Sequence, residues 1–181
     1  VYSACGHCRE CHTGGENYCS DFDATGYSVS GCFAEYVCLR QDWAAAIPNN
    51  ISPVEAAPLM CAGSAAYASL KKTDLKAGDT VAIFGLGGLG QYAIQIAKQS
   101  GIKVIAIDID QQKLATAKAL GADEPVVANS DAIVSIKALG GADGCINFAP
   151  VGATWPLMLA VCKPRARLVL TAVPSEQLAF Y

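Results

Sequence analysis

Four cysteines stand within fifteen residues, Cys5, Cys8, Cys11 and Cys19, in the spacing C-x2-C-x2-C-x7-C. Four thiolates so spaced can wrap one ion, and a four-thiolate set leaves no open position. That describes a tetrahedral structural zinc site, with Zn–S near ~2.3 Å. An iron–sulfur cluster is a rival, because C-x2-C-x2-C also serves clusters. The fourth cysteine of that pattern is followed by proline, however, whereas Cys19 is followed by Ser20 and Asp21. A redox C-x-x-C pair is a third reading, but such pairs do not come as four ligands in one loop. His7 and His12, interleaved with the thiols, read as exposed loop residues rather than ligands.

A second chemistry-bearing string is Gly85-Leu86-Gly87-Gly88-Leu89-Gly90, which contains G-x-G-x-x-G at Gly85, Gly87 and Gly90. It follows an apolar run of strand length and opens a helical pattern, the context its mechanism requires. The first glycine permits a tight turn, the second lets backbone approach a pyrophosphate, and the third lets helix and strand pack closely. The helix start then aims free N–H groups and partial positive charge at the anion. A purely structural glycine turn is the bland alternative. Asp108 ends the next strand, 18 residues after Gly90. A carboxylate there can accept from both ribose hydroxyls of NAD and repel the extra phosphate of NADP. Asp110 competes, but its offset places it in the following turn. Lys113 reads equally as a ribose contact and as a solvated helix charge.

The elements that must position these residues alternate regularly. Thr80–Phe84 reads as a strand and the following residues through Lys98 as a helix. Lys103–Ile107 is a second strand, Gln111–Leu120 a helix, Pro125–Ala128 a weak third strand, and Asp131–Leu139 a helix. Gly144–Phe148, Thr154–Cys162 and Arg167–Ala172 continue as strand, helix and strand. This pattern predicts an α/β fold, a doubly wound parallel sheet of five visible strands with helices on both faces. Upstream, residues 1–25 form a loop-rich lobe that needs a staple, and 26–47 contain alternations that read as strands between Gly turns. Ser52-Pro53-Val54-Glu55 is a helix start with a capping box, and Pro58 should break or kink the helix that runs to about Lys72. The division falls near residue 50: a β-rich domain over 1–50, with its zinc lobe at about 1–25, then a dinucleotide-binding domain over 51–181.

Composition narrows the function classes. The 181 residues are 52% hydrophobic and 16% charged, so a core is easily filled. Net charge is −3 and no basic run occurs, which argues against a nucleic-acid or anionic-membrane partner. Two 18-residue stretches lack charge, Thr80–Ala97 and Cys145–Cys162, but their glycines, glutamines and prolines suit strand–turn–helix units better than membrane spans. Nine cysteines and no export signal suggest reduced thiols in a cytoplasmic protein. The chain opens at Val1 rather than Met and reads as lacking an upstream portion.

With these motifs in hand, the sequence resembles the zinc-dependent alcohol dehydrogenases of the medium-chain dehydrogenase/reductase family, especially the tetrameric bacterial and yeast-type enzymes. The matching strings, in order, are VYSACGHCREC with Cys19, GYSVSGCFAEY, APLMCAG and GLGGLG. The resemblance implies a Rossmann domain preceded by part of a GroES-like catalytic domain. It implies NAD as cofactor, one structural zinc, and a catalytic zinc whose third ligand is Cys61. Without it, one cysteine in an apolar helix is a small buried hydrophobe. It carries cofactor contacts to the whole turn 85–90, to Asp108 and Lys113, to Ala149 and Val151, and to Val173 within Ala172-Val173-Pro174. The implied reaction is reversible, NAD-linked oxidation of a small alcohol to an aldehyde or ketone by a homo-oligomer, a tetramer before a dimer.

The departures are as informative. The family's first catalytic Cys and its His-Glu pair lie upstream of this chain, and its sixth Rossmann strand lies downstream, so the sequence reads as a fragment expected to lack turnover alone. Ala65 stands where the family has Thr beside the nicotinamide, Cys32 replaces a common Gly, and Arg165-Ala166 replaces a Gly-Gly turn. Other readings stay open. One is another zinc member of the family, of polyol or cinnamyl type, though Asp108 counts against the NADP-preferring cinnamyl group. The other is a non-catalytic, NAD-binding, zinc-stapled module.

Overall fold

Thr80–Phe84 (Thr-Val-Ala-Ile-Phe) is apolar on both sides of its pleat, which demands cover on both sides of a sheet. In the computed structural model, which describes residues 2–172 and 174, this strand lies at the centre of the second of two compact units, Val1–Met60 and Cys61–Tyr181.

In the first unit, β1 (Tyr2–Ala4) and β2 (Phe22–Ala24) form an antiparallel ribbon with Ser3 opposite Asp23. Between them lie α1 (Arg9–His12) and a 3₁₀ turn at Glu16–Tyr18. Further on, α2 (Pro53–Ala56) begins with the reciprocal cap its sequence predicts. The Glu55 N–H donates to Ser52 Oγ at 3.3 Å, and the Ser52 N–H donates to Glu55 Oε2 at 2.9 Å. Pro58 falls in a 3₁₀ turn, Ala57–Met60, that separates α2 from α3 (Ala62–Thr73).

The strands expected over 26–47 are not formed. Thr25 and Val29 make an isolated bridge, and a 3₁₀ turn occupies Gln41–Trp43. Alternating apolar residues become a strand only when a neighbour takes up their N–H and C=O groups. No such neighbour pairs with residues 30–40 among the described residues. Tyr27, Phe33 and Tyr36 are exposed in consequence.

The second unit is a five-stranded parallel sheet. Its strands are β3 (Thr80–Phe84), β4 (Lys103–Asp108), β5 (Glu124–Val127), β6 (Ala142–Asn147) and β7 (Cys162–Leu170), in the order β5-β4-β3-β6-β7. The connections are α4 (Gly88–Gln99), α5 (Gln111–Ala119), α6 (Ala132–Ala138) and α7 (Thr154–Val161). Side chains alternate between two buried layers. Val81, Ile83, Val104 and Ile146 pack with Ala66 and Leu70 of α3, Ile94 of α4 and Leu114 of α5. Ala82, Phe84, Ile105, Ile107 and Cys145 pack with Ile136 of α6 and Met158 of α7. Burying each large one of these contributes about 2 kcal/mol. Among the described residues, no helix is long and apolar enough to cross a membrane. The charge-free stretches resolve into β3, turn and α4, and into β6, loop and α7.

The last strand begins earlier than its apolar run, because Lys163-Pro164-Arg165-Ala166 joins it as an irregular arm. Ala142 pairs with Cys162, but Gly144 pairs with Arg167, so the register jumps. Arg165 within the jump has φ +70°. A side chain there costs about 1–2 kcal/mol, the freedom that a glycine would supply. Lys163 reaches Asp143 at 2.9 Å and Arg167 reaches Asp74 at 3.4 Å.

Candidate metal centre and nucleotide cleft

The loop of the first unit brings the Sγ atoms of Cys5, Cys8, Cys11 and Cys19 within 4.8 Å of one another. Cys8 precedes α1 and Cys11 lies one turn on, so the helix itself sets their 3.5 Å separation. Cys5 to Cys11 and Cys8 to Cys19 are both 3.9 Å. Four sulfurs at ~2.3 Å around a tetrahedral zinc stand about 3.8 Å apart, so this donor set fits one ion in both chemistry and size. Cys19 is buried and the other three are partly so.

The thiols are unequal. The His7 backbone N–H, against burial and with help from the Cys8 N–H, pulls Cys5 down to about 6. Burial, and the neighbouring thiols that compete for the same negative charge, push Cys11 up to about 12. Four thiolates this close need a cation to neutralise them, which is what a divalent metal supplies when it displaces their protons. His7 Nδ1 lies 3.0 Å from the Cys5 carbonyl oxygen and His12 is exposed on α1; neither belongs to the cluster.

In the second unit a cleft of about 660 Å³ opens at the C-terminal ends of the strands, where β3 has its chain neighbour β4 on one side and β6 on the other. This reversal of strand order is where open α/β sheets bind ligands. Gly85 has φ +86°, and a Cβ on it would lie 2.7 Å from the Ala149 nitrogen. A Cβ on Gly90 would collide with the Gly85 carbonyl oxygen. Gly87 and Gly88, by contrast, face nothing within 4 Å. The turn is thus closed by its outer glycines and bare at its middle, where α4 begins. Leu86 is fully buried, Leu89 is partly buried, and the Leu86 N–H donates to Asp108 Oδ2 at 2.8 Å.

Asp108 is 8% exposed and has a second partner, the Asp110 N–H at 3.0 Å from Oδ1. Each carboxylate oxygen keeps a lone pair for one further donor. Lys113 Nζ approaches Oδ2 at 3.9 Å. Asp110 is occupied otherwise: its Oδ1 accepts from the N–H groups of Gln112 and Lys113 and caps α5.

Sequence reasoning missed Asn147. It is 2% exposed at the end of β6, its Nδ2 donates to the Ala149 carbonyl at 3.0 Å, and its Oδ1 accepts the Ala149 N–H at 3.1 Å. It thereby folds the loop that presses on Gly85 and carries Val151 along the cleft. The available signal was a lone amide inside the apolar run Cys145-Ile146-Asn147-Phe148. Val173 lies outside the described residues.

Cys61 departs from the buried-hydrophobe expectation. It is exposed at the start of α3, its carbonyl accepting the Ala65 N–H at 2.9 Å and the Ser64 hydroxyl at 3.0 Å. Among the described residues it belongs to no group of three or more candidate ligands.

Residues 88–181 match the family described as zinc-binding dehydrogenase, and residues 1–49 match the alcohol dehydrogenase GroES-like domain. The chain belongs to the zinc-type medium-chain alcohol dehydrogenase family. It is 43% identical over 176 residues to an alcohol dehydrogenase of Moraxella sp. (strain TAE123), covering 96% of this chain and 52% of the relative. The solved alcohol dehydrogenase of Aeropyrum pernix superposes with a TM-score of 0.87 at 32% identity, over 99% of this chain and 55% of that one. A protein of Escherichia coli CFT073, described as a short chain alcohol dehydrogenase complexed with cofactor NADH, gives 0.89 at 25% identity, over 99% and 54%. A zinc-binding dehydrogenase of Sinorhizobium meliloti 1021, bound to NADP, gives 0.84 at 27%, over 99% and 55%. The chain spans about half the length of the curated relatives it matches. Its family is one of oxidoreductases.

Proposed function

We propose that the protein is an NAD-linked, zinc-containing oxidoreductase that reversibly converts a small alcohol to an aldehyde or ketone. The observation that carries this reading is the pairing of a bare glycine turn with a clamped, nearly buried Asp108 at the mouth of one cleft. Bound NAD would supply a hydride acceptor. The start of α4 would hold the diphosphate through backbone N–H groups at Gly87 and Gly88. Asp108 would accept from the ribose hydroxyls with its remaining lone pairs and repel a phosphate there, and the Lys113 ammonium would temper its charge. Asn147 would keep the Ala149 loop seated against the turn. Cys5, Cys8, Cys11 and Cys19 would hold a structural zinc.

Cys61 supplies one donor toward a catalytic zinc. An open site needs three protein ligands. Among the described residues Cys61 belongs to no group of three candidate ligands. A second reading stays open, an NAD-binding, zinc-stapled module without turnover.

One experiment separates the readings: NADH titration by fluorescence together with alcohol-dependent NADH formation, in a full-length parent protein that contains this chain and in its Cys61→Ser variant. Binding in both and turnover only in the parent is the expected result. Equal turnover in both removes Cys61 from the reaction. Binding without turnover in either selects the module. The substrate is a small alcohol, and the assembly a homo-oligomer, a tetramer in the first instance; light scattering on the eluted protein reads the latter.

A further inference from the structure

Cys145 and Cys162 come together although they sit 17 positions apart. Cys145 is fully buried in β6, in the layer formed with Met158 and Val161. Cys162 is half-buried at the first position of β7 and packs against the same layer. Their Sγ atoms are 3.4 Å apart. A disulfide needs them to close to about 2.05 Å, a joint movement of roughly 1.4 Å. Cys162 is registered opposite Ala142, but the jump to Gly144 opposite Arg167 leaves residues 163–166 outside regular pairing, so the strand has slack beside the sulfur that must move.

We propose that Cys145 and Cys162 form a reversible dithiol–disulfide site for hydrogen peroxide. The roles are unequal because the environments are. Cys162 reaches solvent and is the attacking sulfur; the hydrogen bond from Cys145 lowers its pKa against the opposing effect of burial. That same hydrogen bond, with burial, raises Cys145, which stays a thiol. The Cys162 thiolate attacks one peroxide oxygen, the O–O bond breaks, and the departing hydroxide takes a proton and leaves as water. The resulting sulfenic acid is attacked by the Cys145 sulfur. The S–S bond forms, the S–O bond breaks, and hydroxide departs with the Cys145 proton as a second water. Two thiols have lost two electrons to one peroxide, and a thiol reductant reverses the bond. The closed loop contains α7 and residues 148–153, which form one wall of the cleft. The chemistry does not depend on which cofactor the cleft takes.

The test uses the reduced full chain, treated with hydrogen peroxide, alkylated and digested with trypsin. Residues 138–165 emerge as one peptide holding Cys145, Cys162 and no other cysteine, since Lys163 precedes Pro164. The exposed Cys32 and Cys38 report how much oxidant was delivered. The expected peptide is two hydrogens lighter and takes no alkyl group until a reductant is added. In Cys162→Ser the light form is absent and Cys145 takes one alkyl group. The proposal is overturned if both thiols alkylate after a dose that consumes Cys32 and Cys38. It is equally overturned if Cys162 advances to sulfinic acid beside a free Cys145. The parent protein alone decides the matter should the variant fail to fold.

Discussion

Replacing Gly85 or Gly87 with alanine adds the same methyl group at two positions of one turn, with opposite expected results. At Gly85 the backbone has φ +86°, where a Cβ costs about 1–2 kcal/mol. That Cβ would also lie 2.7 Å from the Ala149 nitrogen and 3.0 Å from the Phe148 carbonyl carbon. Both neighbours are backbone, Ala149 held by Asn147 and Phe148 by its N–H to the Phe84 carbonyl, so overpacking adds about 1–3 kcal/mol. The expected loss of stability is roughly 2–5 kcal/mol, read as a lowered urea midpoint at unchanged slope. At Gly87 the backbone has φ −72° and a Cβ meets nothing within 4 Å. Stability should hold or rise by about 0.5 kcal/mol, because alanine has fewer unfolded conformations to lose. The open space is where a diphosphate would approach, so crowding it should weaken NADH binding by about 1–3 kcal/mol, or roughly 5- to 150-fold. Fluorescence titration and urea unfolding on both variants supply the comparison. A Gly87→Ala protein that binds NADH like the parent would refute the assignment of the turn, and a Gly85→Ala protein as stable as the parent would refute the packing argument.

Asp108→Asn should relax the preference for NAD over NADP. It should also cost about 1–3 kcal/mol of stability, since two N–H groups lean on that carboxylate; competing titrations with the two cofactors check it, and an unchanged ratio points to another ribose reader. Cys8→Ser should drop zinc from about one per chain to none by elemental mass spectrometry, the four-thiolate set being broken; retention of one zinc would place the metal elsewhere. For Asp123, burial opposes ionisation, but the Lys98 ammonium and the Val104 N–H hold its pKa below the usual carboxylate range. A lowered folded pKa stabilises above the ordinary value of about 4 and is lost as pH falls through the folded value. Asp123→Asn should therefore be about 1 kcal/mol less stable at neutral pH, a modest figure because the pair is partly solvated, with the gap closing in strong acid. Equal stability of the two proteins at pH 7 would count against the pair.

What was legible in the sequence was local or periodic. The glycine turn, the four-cysteine spacing, the Ser52–Glu55 cap and the strand–helix alternation are each written within a few residues, and physical chemistry allows each few alternatives. What was not legible depends on residues distant in sequence. The clamp of Asp108 on the Leu86 N–H spans 22 positions, and the Asn147 bracket matters only because β6 lies beside β3. The contact of Cys145 with Cys162 follows from an irregular register that no periodicity announces. The strands expected over 26–47 failed for a related reason: alternation describes a side-chain pattern but not the existence of a partner edge.

Among the described residues, the apolar side chains buried in the first unit are Ala4, Cys19 and Ala56, all of them small. Denaturant sensitivity and heat-capacity change both scale with the surface that unfolding exposes. Calorimetric and urea transitions will therefore register the sheet unit almost exclusively. With zinc held as proposed, the lobe around the four thiols would obey different intensive variables, namely the free-metal activity and the proton activity of its surroundings. Within one chain, the sheet unit is stabilised by the exclusion of water, and the smaller unit would be governed by a coordination equilibrium. A chelator that leaves the thermogram nearly unaltered can still undo the lobe.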